Sequence, residues 1–388
     1  MRRCEGILSL EDFTELARTA LPRPIFGYIA GGADDGRCLL NNRAAFQRFS
    51  FVTRVLRDVT ERSTRRSVLG QDFDYPFGIA PMGISALFAY RGDRLLARAA
   101  RDANVPMIAS GASLIPIEEI VAENPGCWCQ AYLGGDAAEV DDALQRIRRA
   151  GVRTLVITVD VPTPSNREQE ARAGFSSPLR PNFRLAWDFI VKPRWLLGVM
   201  AQSVARNGLP AFENVAHHAR IPMISRHATR DIGRRGRLKW ADLRRIRERW
   251  QGALVIKGIL HVDDARMARE HGVDGIIISN HGGRQLDAAI SPLLLIPEIK
   301  AVCGPMTLMV DSGFRRGTDV LTALALGADF VFLGRPFAYA LAARGESGVR
   351  HAIELLRREI DAVLAMLGHR SVDTLDPSCL RQTDVRAN

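Results

Sequence analysis

An eight-stranded α/β barrel, (β/α)8, is the fold class this sequence predicts, with an N-terminal helical segment before it and a long lid insertion after the fourth strand. Two observations carry the prediction. Eight short apolar, β-branched runs recur along the chain, and helix-patterned stretches lie between most of them. Each run is near-continuously apolar, as a strand covered on both faces must be. No repeat of fixed period displaces this reading. The 388 residues fit one barrel domain spanning 1–388, because barrels of this kind run past about 250 residues as a single unit.

The elements follow in order. Residues 9 to 50 precede the barrel and read as two short helices, Ser9 to Ala20 and Arg23 to Ala30, the second stopped by Gly31-Gly32. The first four strands are Phe77 to Ala80, Val105 to Ala109, Trp128 to Tyr132 and Thr154 to Val159. The last four are Ala253 to Lys257, Gly275 to Ser279, Thr307 to Val310 and Phe330 to Leu333. Helix patterns cover Asp93 to Asn104, Asp136 to Ala150, His261 to Glu270 and Thr318 to Leu326. Asp93, Asp136 and Thr318 open three of them, and Asp263 and Asp264 follow His261; such residues suit a helix N-terminus. One connection breaks the rhythm. About ninety residues separate Asp160 from Ala253. Arg244 to Trp250 supplies the barrel helix of that step, so Pro162 to Lys239 is an insertion, with a lid at about 176–239. A closing amphipathic helix over 348–367 aligns Val349, Ile353, Leu356, Ile360 and Leu364 on one face.

Composition narrows the functional classes. The chain is 47% hydrophobic and 25% charged, ordinary values for a soluble globular protein. No apolar run approaches the roughly 20 residues a membrane helix needs. Arg2 and Arg3 have no apolar stretch behind them, so no signal peptide is expected. The six cysteines show neither a disulfide framework nor zinc-ligand spacing, which points to the reducing cytoplasm and to no metal. The net charge of +10 fits nucleic acid, an anionic membrane surface, or anionic substrates with a phosphate-bearing cofactor. Its arginines are spread along the chain without a nucleic-acid-binding motif, which argues against nucleic acid.

Barrel active sites lie at the C-terminal ends of the strands. Here those tips read Pro81-Met82-Gly83, Ser110-Gly111, Gln130 with Tyr132, Thr158 with Asp160, Lys257-Gly258, Ser279 to Arg284, Asp311-Ser312-Gly313 and Gly334-Arg335. Polar groups, cations and glycines sit where the strands themselves are apolar. Barrel phosphate sites are commonly built from the loops after strands seven and eight. Those loops hold Gly313, Arg315, Arg316, Gly317, Gly334 and Arg335. Glycine lets the backbone approach a phosphate, and arginine offers it a fork of donors; turn glycines with solvated arginines are the plainer alternative. Lys257, buried in a barrel mouth, needs a negative partner: a neighbouring carboxylate, or a cofactor that becomes anionic on reduction. In Ser279 to Asp287, SNHGGRQLD, His281 and Arg284 leave one turn together. That spacing places a base beside a carboxylate clamp. Asp160 at another tip can orient the imidazole and stabilise its protonated form.

These motifs resemble the FMN-dependent 2-hydroxy acid oxidase and dehydrogenase family, whose members oxidise glycolate, lactate and mandelate. The likeness runs from Ser9 to about Leu375 and is most specific in SNHGGRQLD, in DSGFRRGTDV (Asp311 to Val320) and in LAARGESGV (Leu341 to Val349). It implies a TIM barrel that holds FMN and oxidises an (S)-2-hydroxy acid to the 2-keto acid, passing electrons to a quinone or oxygen. It further implies that Tyr28, Arg167 and Arg284 bind the substrate carboxylate and that Tyr132 bonds the substrate hydroxyl. His281 is then the base, backed by Asp160, and Lys257 stabilises the reduced flavin. Ser110, Gln130, Thr158 and the backbone around Met82 and Gly83 hold the ring, and Ser279 contacts the cofactor. Asp311 binds the ribityl chain, while Gly313, Arg315, Gly334 and Arg335 hold the phosphate. A homotetramer, peripheral on the inner face of the cell membrane, is also implied.

Three positions depart from the family pattern. Pro81-Met82-Gly83 replaces Pro-Thr-Ala or Pro-Thr-Gly, Ala112 stands where glycolate-oxidising members carry Trp, and Ser165-Asn166 replaces Gly-Arg. The first two predict a pocket wider than glycolate needs. Within the insertion, basic residues (Arg180, Arg184, Lys192, Arg194) accompany apolar ones from Phe183 to Met200, the composition of an interfacial segment. Packing of those apolar residues on the barrel or on a neighbouring subunit is the alternative. Another FMN-barrel reaction, oxidative tailoring of a peptide-derived substrate, is a second functional reading. A non-catalytic flavin-binding module is a third.

Overall fold

The eight apolar runs pair as parallel strands: β1 (Phe77–Ile79), β2 (Ile108–Ala109), β3 (Trp128–Ala131), β4 (Thr154–Thr158), β5 (Ala253–Ile259), β6 (Gly275–Ile278), β7 (Thr307–Val310) and β8 (Phe330–Leu333). This computed structural model describes residues 4–134, 136–214, 221–225 and 233–383. β8 pairs with β1, neighbours follow in sequence order round the sheet, and a bridge between Ile79 and Met107 closes the barrel against β2. β2 is shorter than the run from Val105 suggests, because Pro106 has no N–H to give a ladder and only its carbonyl is used, by Ile79.

Side-chain alternation sorts the strands into two cores. Leu155 and Ile157 point outward to the helices, while Val156 points inward with Ile108, Trp128, Val255, Ile277, Met309, Phe330 and Phe332. A hairpin, Arg66–Val68 with Gln71–Phe73, plugs the barrel floor through Val68 and Phe73. The period of two then carries the same inward series to the upper end of each strand. There it meets Ser110, Gln130, Thr158, Lys257, Ser279 and Asp311, all buried. Apolar below and polar above, the barrel interior is a floor for a site.

The surrounding helices are α1 (Asp12–Ala20), α2 (Arg23–Ala30), α3 (Arg37–Ala44), α4 (Gly92–Asp102), α5 (Ile117–Glu123), α6 (Ala137–Arg149), α7 (Trp240–Arg249), α8 (Val262–Glu270), α9 (Ile296–Cys303), α10 (Gly317–Ala325) and α11 (Arg335–Met366). α1 starts later than predicted, because the Asp12 carboxylate gathers the Leu8 and Ser9 N–H groups into a preceding turn. The predicted closing helix is the second part of α11, which breaks at Gly345 (φ 61°). α3, α5 and α9 have eight residues or fewer, too short for a periodic signal.

The insertion is structured where it is described. Glu168–Arg172 and Phe183–Ile190 are helical, and helical turns continue from Pro193 to Asn207. The apolar residues grouped as one interfacial face divide in two. Leu185, Trp195, Val199 and Met200 are buried, and the Trp195 indole N–H donates to the Leu87 carbonyl (2.7 Å). Phe183 (97% exposed), Trp187 (65%), Ile190 (59%) and Leu197 (67%) face outward. Both packing on the barrel and an exposed apolar face are therefore present, on opposite sides of the segment.

Candidate active site

All the predicted site residues except Asp160 and Ser279 line one cavity of about 400 Å³ at the C-terminal ends of the strands. Parallel register sets its floor. Lys257 pairs level with Thr158, and the β5–β6 register slips between Lys257 and Ile259. At that bulge Gly258 has φ +113°, and a Cβ there would stand 2.6 Å from the Asp160 Cβ. Only glycine lets Asp160 come close.

Asp160 stands behind the cavity wall and meets His281 Nδ1 through both carboxylate oxygens, at 3.0 and 3.2 Å. His281 holds φ +58°, a backbone conformation fixed by its loop: its N–H donates to Ser279 Oγ (3.0 Å) and the Gly282 N–H donates to Ser312 Oγ (3.1 Å). Beneath the loop Asn280 and Asn42 form a reciprocal buried pair (2.7 and 2.9 Å). Burial pushes the His281 imidazolium below the ordinary histidine range, and Lys257 and Arg167 push the same way; Asp160 only partly offsets them. Burial raises Asp160, yet the His281 and Lys257 charges hold its carboxyl below the usual value. Asp160 thus takes the Nδ1 side of the His281 ring.

Of the two partners foreseen for Lys257, the carboxylate is present: its Nζ lies 2.8 Å from Asp311 Oδ2. Its Nζ also donates to Ser279 Oγ (2.6 Å). Ser279, expected against the cofactor, is fully buried against the Lys257 ammonium and does not line the cavity. Burial opposes the Lys257 charge, but Asp311 and Asp160 more than compensate and hold the ammonium above the usual lysine value.

The residues predicted to clamp a carboxylate assemble around the C-terminal end of α2, whose last carbonyls have no helical partners. Arg284 Nη1 donates to the Tyr28 (2.5 Å) and Gly31 (3.1 Å) carbonyls, and the guanidinium lies over the Tyr28 ring at 4.7 Å. Its Nη2 is 2.7 Å from Glu170, a buried carboxylate that sequence reasoning missed. The signal was available: Glu170 sits three residues after Arg167 on the helix Glu168–Arg172. Arg167 donates to Ser165 Oγ and Gln285 Oε1, both at 2.8 Å. Ser165 and Asn166, the departures from the family pattern, act as ties. Ser165 Oγ donates to the Arg284 carbonyl (2.7 Å), and Asn166 Nδ2 donates to Asp34 (2.8 Å). The room expected at Gly83 is taken up: a Cβ there would lie 2.8 Å from the Tyr28 hydroxyl and 3.1 Å from the Ala112 Cβ.

Arg315, Arg335, Gly313 and Gly334 line the same cavity, and Arg335 shares the Gly31 carbonyl with Arg284. Arg316 and Gly317 do not; they turn to Glu359, which accepts from the Gly317 N–H (2.6 Å) and pairs with Arg316 (3.1 Å). Arg335 spans the Ile29, Gly31 and Gly282 carbonyls at 2.8–2.9 Å. A Cβ at Gly282 would stand 2.7 Å from its Nη1, so that glycine admits the arginine. Burial pulls Arg335 down to about 9, with Arg284 and Arg315 adding to the shift.

This donor set fits FMN. Buried guanidiniums converge on one end, as a phosphate dianion requires. Gln130 Oε1 accepts the Gly111 N–H (3.0 Å), while its Nε2 is buried with no hydrogen-bond partner among the described residues, a donor that a ring carbonyl would satisfy.

The sequence profile of the FMN-dependent dehydrogenase family matches residues 17–382. An L-lactate dehydrogenase of Caulobacter sp. (strain K31) is 38% identical over 384 residues, covering 97% of this chain and 99% of that protein. The (S)-mandelate dehydrogenase of Pseudomonas putida is 36% identical over 382 residues, covering 98% and 95%. Among solved structures, the monotopic membrane protein (S)-mandelate dehydrogenase superposes with a TM-score of 0.88 at 34% identity, covering 98% of this chain and all of that one.

Proposed function

This chain belongs to the FMN-dependent dehydrogenase family, and we propose that it oxidises a lactate- or mandelate-like (S)-2-hydroxy acid to the 2-keto acid. The observation that carries this reading is His281, its Nδ1 held 3.0 Å from Asp160, in one cavity with the Tyr28, Arg167 and Arg284 cluster. FMN, when bound, accepts the two electrons that leave the α-carbon. The protein does the rest. Arg167 and Arg284 hold the substrate carboxylate, and Glu170 fixes the Arg284 fork in place. That anchoring orients the α-carbon and supplies the proximity contribution. Tyr132 bonds the hydroxyl, and His281 takes a proton at Nε2. Asp160 then faces an imidazolium and stabilises it. Lys257, paired with Asp311, would supply positive charge to the reduced flavin. Gln130, Ser110 and Thr158 hold the ring, and Gly313, Arg315, Gly334 and Arg335 hold the phosphate. Matches to hydroxy acid dehydrogenases over nearly the whole chain do not favour oxidative tailoring.

The electron acceptor in this reading is a membrane quinone. Supporting it, the outward residues Phe183, Trp187 and Ile190 share one segment with Arg184, Lys192 and Arg194, the composition of a helix lying in a lipid interface. No described helix is long and apolar enough to cross a membrane. The test is direct. The purified protein releases FMN on denaturation, its visible band bleaches anaerobically with L-lactate or (S)-mandelate, and a quinone restores the colour faster than oxygen. A folded protein that takes up no FMN, or whose flavin no 2-hydroxy acid bleaches, refutes the reading. Flotation with anionic liposomes, lost in Phe183→Ser/Trp187→Ser/Ile190→Ser, tests the attachment.

A further inference from the structure

Past α11 the chain makes two capped turns before its last strand. Gly368 (φ 72°) reverses the backbone after the helix, and His369 follows it. Ser371 Oγ accepts the Asp373 N–H (3.1 Å) and Asp376 accepts the Ser378 N–H (2.7 Å), so side-chain caps fix the turns Val372–Thr374 and Pro377–Cys379. The Cys379 carbonyl then accepts the Val52 N–H (2.8 Å), where the strand Leu380–Gln382 begins. This path brings three side chains into line. Cys379 Sγ lies 3.4 Å from His369 Nε2, and His369 Nδ1 lies 2.7 Å from Thr374 Oγ1. Neither Cys379 nor His369 lines the cavity at the strand tips.

Counting hydrogens gives the line a direction. The Thr374 hydroxyl has one hydrogen, and it donates that to the Ser371 carbonyl (2.7 Å). Its oxygen therefore accepts from the His369 Nδ1–H, and the lone pair of the neutral imidazole is left on Nε2, facing the thiol. Burial, with Arg57 and Arg54, holds His369 below the ordinary histidine value against a partial pull from Asp376, so the ring is a proton acceptor at pH 7. A thiol, an adjacent base and a group that orients the base are the parts of an activated nucleophile.

The other five cysteines have no imidazole partner among the described residues. Cys4 and Cys127 donate to backbone carbonyls at 3.8 and 3.3 Å, and Cys38 lies against the amides of Asn280 and Asn42. Burial raises the Cys38, Cys127, Cys129 and Cys303 thiols above the ordinary cysteine value, which keeps them protonated. Cys379 is itself only 6% exposed, but it sits in a surface segment whose Thr374, Asp376, Pro377 and Ser378 are exposed. That setting suits a reagent little larger than water.

We infer that Cys379 is a site of reversible oxidation by hydrogen peroxide, with His369 as the base that takes its proton and Thr374 as the residue that orients the imidazole. The thiol proton passes to His369 Nε2, and the thiolate attacks one peroxide oxygen. The S–O bond forms as the O–O bond breaks, and the imidazolium returns its proton to the departing hydroxide as water. Sulfur loses two electrons and the peroxide gains them, so thiol and peroxide give sulfenic acid and water. A small thiol restores Cys379 through a mixed disulfide.

The FMN-loaded full chain, without a 2-hydroxy acid, is exposed to hydrogen peroxide at pH 7 for graded times. It is then denatured, its remaining thiols are alkylated, and each cysteine peptide is quantified by mass spectrometry. Exposure alone favours Cys4, which is more open than Cys379. The expected result is the reverse: Cys379 is lost first, on the order of tenfold faster than Cys4, and dithiothreitol restores it. His369→Gln slows the loss of Cys379 by a similar factor and leaves Cys4 unchanged, while Thr374→Val slows it in part. Unfolding in urea before the peroxide abolishes the preference. Loss of Cys4 first, a Cys379 rate unchanged in His369→Gln, or a preference that persists in urea overturns the inference. If His369→Gln does not fold, the wild-type order, Thr374→Val and the urea comparison decide.

Discussion

Asp160→Asn isolates the electrostatic part of the proposed base. Asparagine keeps a carbonyl oxygen for His281 Nδ1, so the 3.0 Å hydrogen bond and the ring orientation survive while the negative charge is removed. In the wild type that charge faces an imidazole that becomes an imidazolium as the substrate gives up its proton. Two unit charges with centres about 4 Å apart interact by about 4 kcal/mol at an effective dielectric constant of about 20. With roughly 1.4 kcal/mol per decade, and only partial proton transfer in the transition state, flavin bleaching slows by roughly 10²- to 10³-fold. The pH profile gives an independent check. Burial, Lys257 and Arg167 hold His281 below the ordinary histidine value of 6.5 despite Asp160. A base works when neutral, so the acid limb of kcat/KM lies below that value and activity rises with pH through it. Asp160 is the group that raises the His281 value, so Asp160→Asn moves the limb to still lower pH. The assay is anaerobic stopped-flow bleaching across pH, with FMN content checked by absorbance. A rate within tenfold of wild type, or a limb that stays put or moves to higher pH, would show that Asp160 does not stabilise an imidazolium.

Other outcomes follow from the same geometry. His281→Ala keeps its flavin, because the phosphate-end arginines are untouched, but loses turnover by several orders of magnitude; near-normal bleaching would mean the base lies elsewhere. Gly83→Ala places a methyl 2.8 Å from the Tyr28 hydroxyl, so Tyr28 shifts and KM rises more than kcat falls; an unchanged KM refutes the crowding. Burial pushes the Asp93 carboxyl up to about 7. In the folded chain this group stays protonated below that value, whereas the unfolded chain ionises it near 3.8, so it subtracts stability as pH rises from about 4 to 7. Asp93→Asn is therefore stabilising, by about 3 kcal/mol more at pH 8 than at pH 5 on 1.36 kcal/mol per pKa unit; equal denaturation midpoints at the two pH values would contradict this.

The legible parts of the site share one physical origin. Period-two alternation links the apolar floor to the polar tips, so Gln130, Lys257 and Asp311 can be read from their strands once the strands are recognised. Ser279 obeys the same alternation but is buried against Lys257 and off the cavity lining; the β5–β6 register slips beside it, and a bulge has no clear sequence mark. Glu170 and Arg235 escaped notice for a different reason. Each lies outside the barrel, and its place in the cavity depends on how the insertion folds back: through the helix Glu168–Arg172 in one case and the turn Gly233–Arg237 in the other. Long-range packing of that kind leaves no local period to detect. The predicted interfacial face divided for the same reason, since composition cannot say which side of a short helix meets the barrel.

The two ends of the cavity are therefore held by different parts of the chain. Its floor comes from strand tips, where any change of register would displace several side chains at once. Its substrate wall comes from pieces outside the barrel that must dock. Arg284 is steadied by the α2 carbonyls and by Glu170, and the Gly32 N–H donates to Gln169 of the insertion (3.4 Å). The N-terminal segment and the insertion thus close on each other across the clamp. Changes in these pieces can alter which acid is bound while the strand tips that hold the flavin stay in register. That separation explains why the sequence speaks clearly about flavin chemistry and less clearly about the acid.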